Sequence, residues 1–88
     1  MLNFLGVCDR FRKTAEGEAK WQEMMSTKKK ISESKFMELC DVSVILDEGE
    51  TWREYKDVAK NQGDAIKYYK SENGLYFFQT AGFEFIWG

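Results

Sequence analysis

The last 24 residues of this chain, Ala65 to Gly88, hold eight of its fourteen aromatic residues, and two tight-turn signals divide them. Residues 66–71 are followed by Asn73-Gly74, residues 75–80 by Ala81-Gly82, and residues 83–87 close the block. Asn-Gly suits a two-residue hairpin because both central positions need positive φ, which these residues tolerate best. The pattern predicts a three-stranded antiparallel meander. Two-residue loops at both turns set Ser71 opposite Tyr76, Tyr69 opposite Phe78, Thr80 opposite Phe83, Phe78 opposite Phe85 and Tyr76 opposite Trp87. One face is then Tyr69, Tyr76, Phe78, Phe83, Phe85 and Trp87. The other is Ile66, Tyr68, Leu75, Phe77 and Ile86, interrupted by Lys70, Gln79 and Glu84.

Upstream the periodicity is helical. Phe4, Val7, Cys8, Phe11 and Ala15 share one face of a helix over 2–13, with Asp9, Arg10, Arg12 and Lys13 off it. A second helix over 14–25 has good formers in Ala15, Glu16, Glu18, Ala19 and Lys20, and apolar Trp21, Met24 and Met25; the two read equally as one bent helix. Gly17 weakens the stretch by ~1 kcal/mol and marks a break or a close approach. Residues 26–30, Ser-Thr-Lys-Lys-Lys, are polar and aperiodic and read as a loop. Ser32 is an N-cap with Glu33 in the first turn. Phe36, Leu39, Cys40, Val42, Ile45 and Leu46 continue a helical stripe to Gly49, with a strand at 42–46 as the β-branched alternative. Thr51-Trp52-Arg53-Glu54 is a capping box opening a helix to Gln62, with Trp52, Tyr55, Val58 and Ala59 inward and Gly63 as its stop. The fold class is therefore α+β: one domain over 1–88, with an N-terminal layer of three to four helices packed on a C-terminal three-stranded antiparallel meander.

Charge narrows the partners. The net charge is −2, with residues 1–30 at +3, 31–64 at −5 and 65–88 neutral. Solvated helix faces of opposite sign account for this split. Cys8 and Cys40 stand without a C-x-x-C pattern, so reduced buried thiols in a cytoplasmic protein are expected, with one structural disulfide as the alternative. No apolar run reaches membrane-spanning length, and residues 1–8 lack the preceding basic residues of a signal peptide.

The chain has no histidine. That removes the commonest general base, the Ser–His and Cys–His nucleophile pairs and every His-containing metal site. Glycine-rich phosphate-loop patterns are absent as well. Asp47, Glu48, Glu50 and Glu54-Tyr55-Lys56 have the spacing of metal-dependent nucleases. Those enzymes need the carboxylates on adjoining strands, whereas the capping box puts Glu54 at a helix start. Residues 47–51 are also too short for a calcium loop. No catalytic residue, cofactor or metal is expected. Residues 82–87 partly echo the aromatic segment of RNA-recognition motifs, but Ala81 and Glu84 replace the basic and small residues such a segment needs.

What remains is a non-enzymatic protein-binding module, an inhibitor or adaptor that occludes a site on a larger protein. Small accessory and anti-defence proteins of phages and mobile elements often share this profile. The six-aromatic face is expected as core. The mixed face is expected as the contact surface, with Tyr68, Phe77 and Ile86 as an apolar centre ringed by Lys70, Gln79 and Glu84. A homodimer through this face or through an edge strand at 83–87 is its simplest form. On this reading Phe77→Asp or Tyr68→Asp abolishes binding and leaves the fold intact. The alternative is a nucleic-acid binder using the basic N-terminal helix or the aromatic sheet, with Arg10, Arg12, Lys13 and Lys28-Lys29-Lys30 as its phosphate contacts, against which the low charge argues. An acidic DNA mimic built on Glu38, Asp41, Asp47, Glu48, Glu50, Glu54 and Asp57 is the further variant.

Overall fold

The second hairpin forms as its turn chemistry dictates. Ala81-Gly82 makes a two-residue loop, and Tyr76, Phe77, Phe78 and Gln79 stand opposite Trp87, Ile86, Phe85 and Glu84. The first hairpin does not. Ser71 pairs with Leu75 through Ser71 N–H to Leu75 O (2.9 Å), so Glu72, Asn73 and Gly74 form a three-residue loop, with Gly74 at φ +83°. That is the glycine-bulge form of hairpin loop. Side chains reinforce it: the Ser71 hydroxyl accepts from Leu75 N–H (3.2 Å) and donates to Asn73 Oδ1, and Asn73 Nδ2 donates to the Lys20 carbonyl (3.1 Å). One extra loop residue slips the register by one, and a one-residue slip turns every side chain of a strand over. Tyr68, not Tyr69, therefore faces Phe78.

The computed structural model describes residues 2–46 and 49–88. In order they form β1 (Phe4–Val7), α1 (Cys8–Phe11), α2 (Ala15–Thr27), β2 (Lys29–Ile31), α3 (Glu33–Leu39), α4 (Trp52–Asn61), β3 (Lys67–Lys70), β4 (Tyr76–Gln79) and β5 (Glu84–Trp87). The chain is α+β, but its sheet has five antiparallel strands, ordered β1-β5-β4-β3-β2, not three. Two of the strands lie where a helix and a loop were expected.

β1 replaces the first half of the expected helix over 2–13. Phe4 pairs with Trp87 and Gly6 with Ile86, leaving Leu5 as the extra residue of a bulge that Gly6 accommodates at φ +121°. A bulge shifts alternation by one. Phe4 and Val7 consequently pack on the same core cluster at a spacing of three, which counterfeits a helical period. β2 replaces the expected loop at 26–30, pairing Lys29 with Lys70, Lys30 with Tyr69 and Ile31 with Tyr68.

The helix starts follow local capping. Thr14 Oγ1 accepts from Gly17 N–H (3.0 Å), Ser32 Oγ from Lys35 N–H (3.2 Å) and Thr51 Oγ1 from Glu54 N–H (3.3 Å). α3 ends at Leu39, ten residues before Gly49. Leu2 takes over the chain there, donating to Leu39 O (2.8 Å) and accepting from Asp41 N–H (3.4 Å). Asp41 Oδ1 then accepts from the Ser43 amide (3.0 Å) and hydroxyl (2.6 Å), a turn that competes with helix. Residues 42–46 are thus neither helix nor strand; Ile45 makes one isolated bridge, to Thr51.

Both faces of the sheet are covered by the chain itself. On one, α3 and α4 bring Phe36, Cys40 and Trp52 onto Tyr68, Phe78, Phe85 and Trp87. Phe36 meets Trp87 edge-on at 4.9 Å, and Tyr55 meets Phe85 edge-on at 5.1 Å. On the other, α1 and α2 bring Cys8 and Met24 onto Leu75, Phe77 and Ile86. Cys8 and Cys40 belong to opposite faces and are free thiols, not a disulfide. The architecture is a sheet between two helical layers.

Candidate interaction surface

The residues expected at a contact surface are divided by this arrangement. Tyr68 is turned into the α3–α4 core by the register slip, at 6% exposure. Phe77 and Ile86 are wholly buried beneath α1 and α2. Gln79 and Glu84 pair with each other at the margin of that same face, and Lys70 is exposed on the opposite one. No open apolar centre exists at this position, because the helix pair assigned to a single layer is split across the sheet. Nor is 83–87 an edge: β5 lies between β1 and β4. Of the sheet aromatics that the nucleic-acid alternative would use for base stacking, Phe77, Phe78, Phe85 and Trp87 are fully buried. Of its basic helix residues, Arg12 is engaged by Glu18 (2.8 Å) and stacked on Trp21 (3.8 Å).

Another aromatic stands in the open. Phe83 follows the Ala81-Gly82 turn and is 46% exposed. Its backbone is pinned: Phe83 N–H donates to Thr80 Oγ1 (3.3 Å), and Thr80 N–H donates to Phe83 O (2.9 Å). Thr80 Oγ1 is also hydrogen-bonded to the Tyr55 hydroxyl (3.2 Å). The ring is held from behind, edge-on by Tyr55 at 5.9 Å and stacked on Phe85 at 6.2 Å. One turn along α4 from Tyr55 is Val58, expected inward and found 47% exposed.

Phe83 also forms one wall of a cleft of about 410 Å³ whose other walls include Cys8, Arg10, Lys13, Gln79 and Glu84. Its charges are mixed: Asp9 and Glu84 against Arg10 and Lys13. Burial first, then the carboxylates of Glu84 and Asp9, push the Cys8 thiol up to about 12. It is held neutral, and a neutral thiol is a poor nucleophile. Of the carboxylates considered for a metal, Glu54 caps α4 with Thr51, while Asp47 and Glu48 lie outside the described residues. Among the described residues no group of three His, Cys, Asp or Glu side chains is placed to hold a metal ion. Among them, too, no helix is long and apolar enough to cross a membrane.

Comparison with protein-family models, curated proteins and solved structures finds no match to this chain. The exposed ring was misread because Phe83 alternates in register with Phe85 and Trp87 and so counted as core. Its position beside a two-residue turn, at the end of the sheet where helix cover runs out, is the signal that distinguishes it.

Proposed function

We propose that this is a small non-enzymatic protein-binding module, an inhibitor or adaptor that occludes a site on a larger protein, and that Phe83 anchors the contact. One observation carries the reading: a phenylalanine held at a hairpin tip by backbone and ring contacts, 46% exposed, beside a cleft of about 410 Å³. Interfaces concentrate their energy in such aromatic anchors with a polar rim. Val58 extends the apolar contact, while Arg10, Lys13 and Gln79 provide the rim. Burying the rest of the ring removes roughly 90 Å² of apolar surface from water, which at ~25 cal/mol/Å² is ~2 kcal/mol, about thirtyfold in affinity. The neutral Cys8 thiol and the lack of histidine support binding over catalysis.

The test is affinity capture from the source cell lysate with wild type, Phe83→Asp and Val58→Asp. Both positions are exposed, so the variants should melt within a few degrees of wild type. A protein retained by wild type at high salt and lost by both variants is the expected result. Capture indifferent to both substitutions would sink the assignment.

A further inference from the structure

Glu84 carries an oxygen that the fold seals without a partner. Its Oε2 is shut off from solvent and accepts no hydrogen bond. An unpaired buried acceptor is costly, and a charged one more so. The register places Glu84 opposite Gln79 on the sheet face that α1 and α2 cover. Arg12 feels the Glu84 charge, but its guanidinium is committed to Glu18 at 2.8 Å and to the Trp21 ring at 3.8 Å.

Glu84 as a whole stays partly exposed and, with Gln79, lines the cleft of about 410 Å³. The acidic and basic groups of that cleft balance in number but not in place. Asp9, Arg10 and Lys13 stand exposed on the α1 side, where water screens them. Cys8, 4% exposed, senses the field farther in. After burial, the Glu84 and Asp9 carboxylates do most to push its thiol up, and the opposing effect of Arg12 is smaller than either. The interior is therefore negative behind a mixed rim.

We propose that this cleft receives an arginine side chain of the partner protein, its guanidinium donating to the Glu84 carboxylate and to the side-chain oxygen of Gln79. The inference rests on the reading of this surface as a protein contact, and it names what the partner inserts beside Phe83. A guanidinium offers a planar fork of donors, enough for both acceptors, and is more weakly hydrated than an ammonium. Glu84 has already lost part of its hydration in folding, so less desolvation opposes the ion pair. Arg10 and Lys13 at the rim repel a run of bases, so the partner presents a lone arginine and not a basic tract.

The test titrates the intact protein with N-acetyl-arginine amide, a blocked arginine, followed by backbone amide chemical shifts in nuclear magnetic resonance. Saturable shifts are expected at the cleft residues of α1 and of the β4–β5 turn, and none with the neutral isostere N-acetyl-citrulline amide. Glu84→Gln should weaken binding by about tenfold or more, the value of a hydrogen bond to a charged group. Without ligand the same variant should melt no lower than wild type, because the charge it removes has no partner. A lower melting temperature would show the carboxylate already compensated within the chain and overturns the proposal. Absence of saturable shifts, or equal binding by Glu84→Gln or of the citrulline form, overturns it as well. Tighter binding of free arginine than of the blocked form does the same, in favour of a small zwitterion held by Arg10 and Lys13. Phe83→Ala should lose the captured protein yet bind blocked arginine as wild type does, so failure of the protein contact and failure of this site are read separately.

Discussion

Gly17→Ala is the substitution for which local propensity and tertiary structure give opposite signs. Gly17 lies in the first turn of α2, where alanine is intrinsically better by ~1 kcal/mol. Yet the position is buried, and a Cβ there would come 1.8 Å from the Phe11 carbonyl oxygen and 2.9 Å from its carbon. These are backbone atoms at the end of α1, not the yielding tip of a side chain. Relief requires α1 to move by more than an ångström, and α1 carries Cys8 in the core beneath the sheet. Overpacking of this kind costs about 1–3 kcal/mol and more where backbone must shift. Against the propensity gain, a net loss of about 2 kcal/mol is expected, from a total of roughly 4–13 kcal/mol for a domain this size. With an m-value of ~1 kcal/mol/M, the urea midpoint should fall by about 2 M. The assay is equilibrium urea unfolding followed by tryptophan fluorescence. An unchanged or raised midpoint would refute the close approach of α1 and α2.

Two further outcomes follow from the core. Phe77→Ala should cost about 3–5 kcal/mol and Phe77→Asp should unfold the protein, the reverse of what an exposed contact residue would show; chemical denaturation and near-ultraviolet circular dichroism decide it. Burial pushes the thiols of Cys8 and Cys40 up to about 12 from about 9. For such groups the neutral form is the one the fold favours, so their contribution is complete below pH 9 and is lost as pH climbs from 9 towards 12. The unfolding free energy from urea titrations should stay flat near neutrality and then decline by up to ~1.4 kcal/mol per pH unit per thiol. Alkylation at pH 8 should reach neither cysteine until the protein is unfolded; rapid labelling of the native state would contradict their burial.

Helix starts and one hairpin were legible because each is decided within a few residues. Ser32 and the Thr51–Glu54 box satisfy their own first-turn amides, Gly63 takes φ +79° at the end of α4, and Ala81-Gly82 sets its own register. The contact surface was not legible, since its prediction passed through the Asn73-Gly74 turn. There Ser71 and the Lys20 carbonyl select a loop one residue longer, and that slip exchanged Tyr68 for Tyr69.

The amino-acid sequence by itself therefore determined the α+β class, the capped helices and the aromatic hairpin at the C-terminal end, all products of short-range hydrogen bonding and turn stereochemistry. Only the tertiary structure decided that β1 and β2 are strands, that helices lie on both sides of the sheet, and that Phe83 is left facing water. β1 finds its partner some eighty residues away and β2 some forty, and neither carries enough local preference to declare itself. Their hydrogen bonds exist only once β3, β4 and β5 present an edge, and which side chains remain exposed is settled by where the helices then fit.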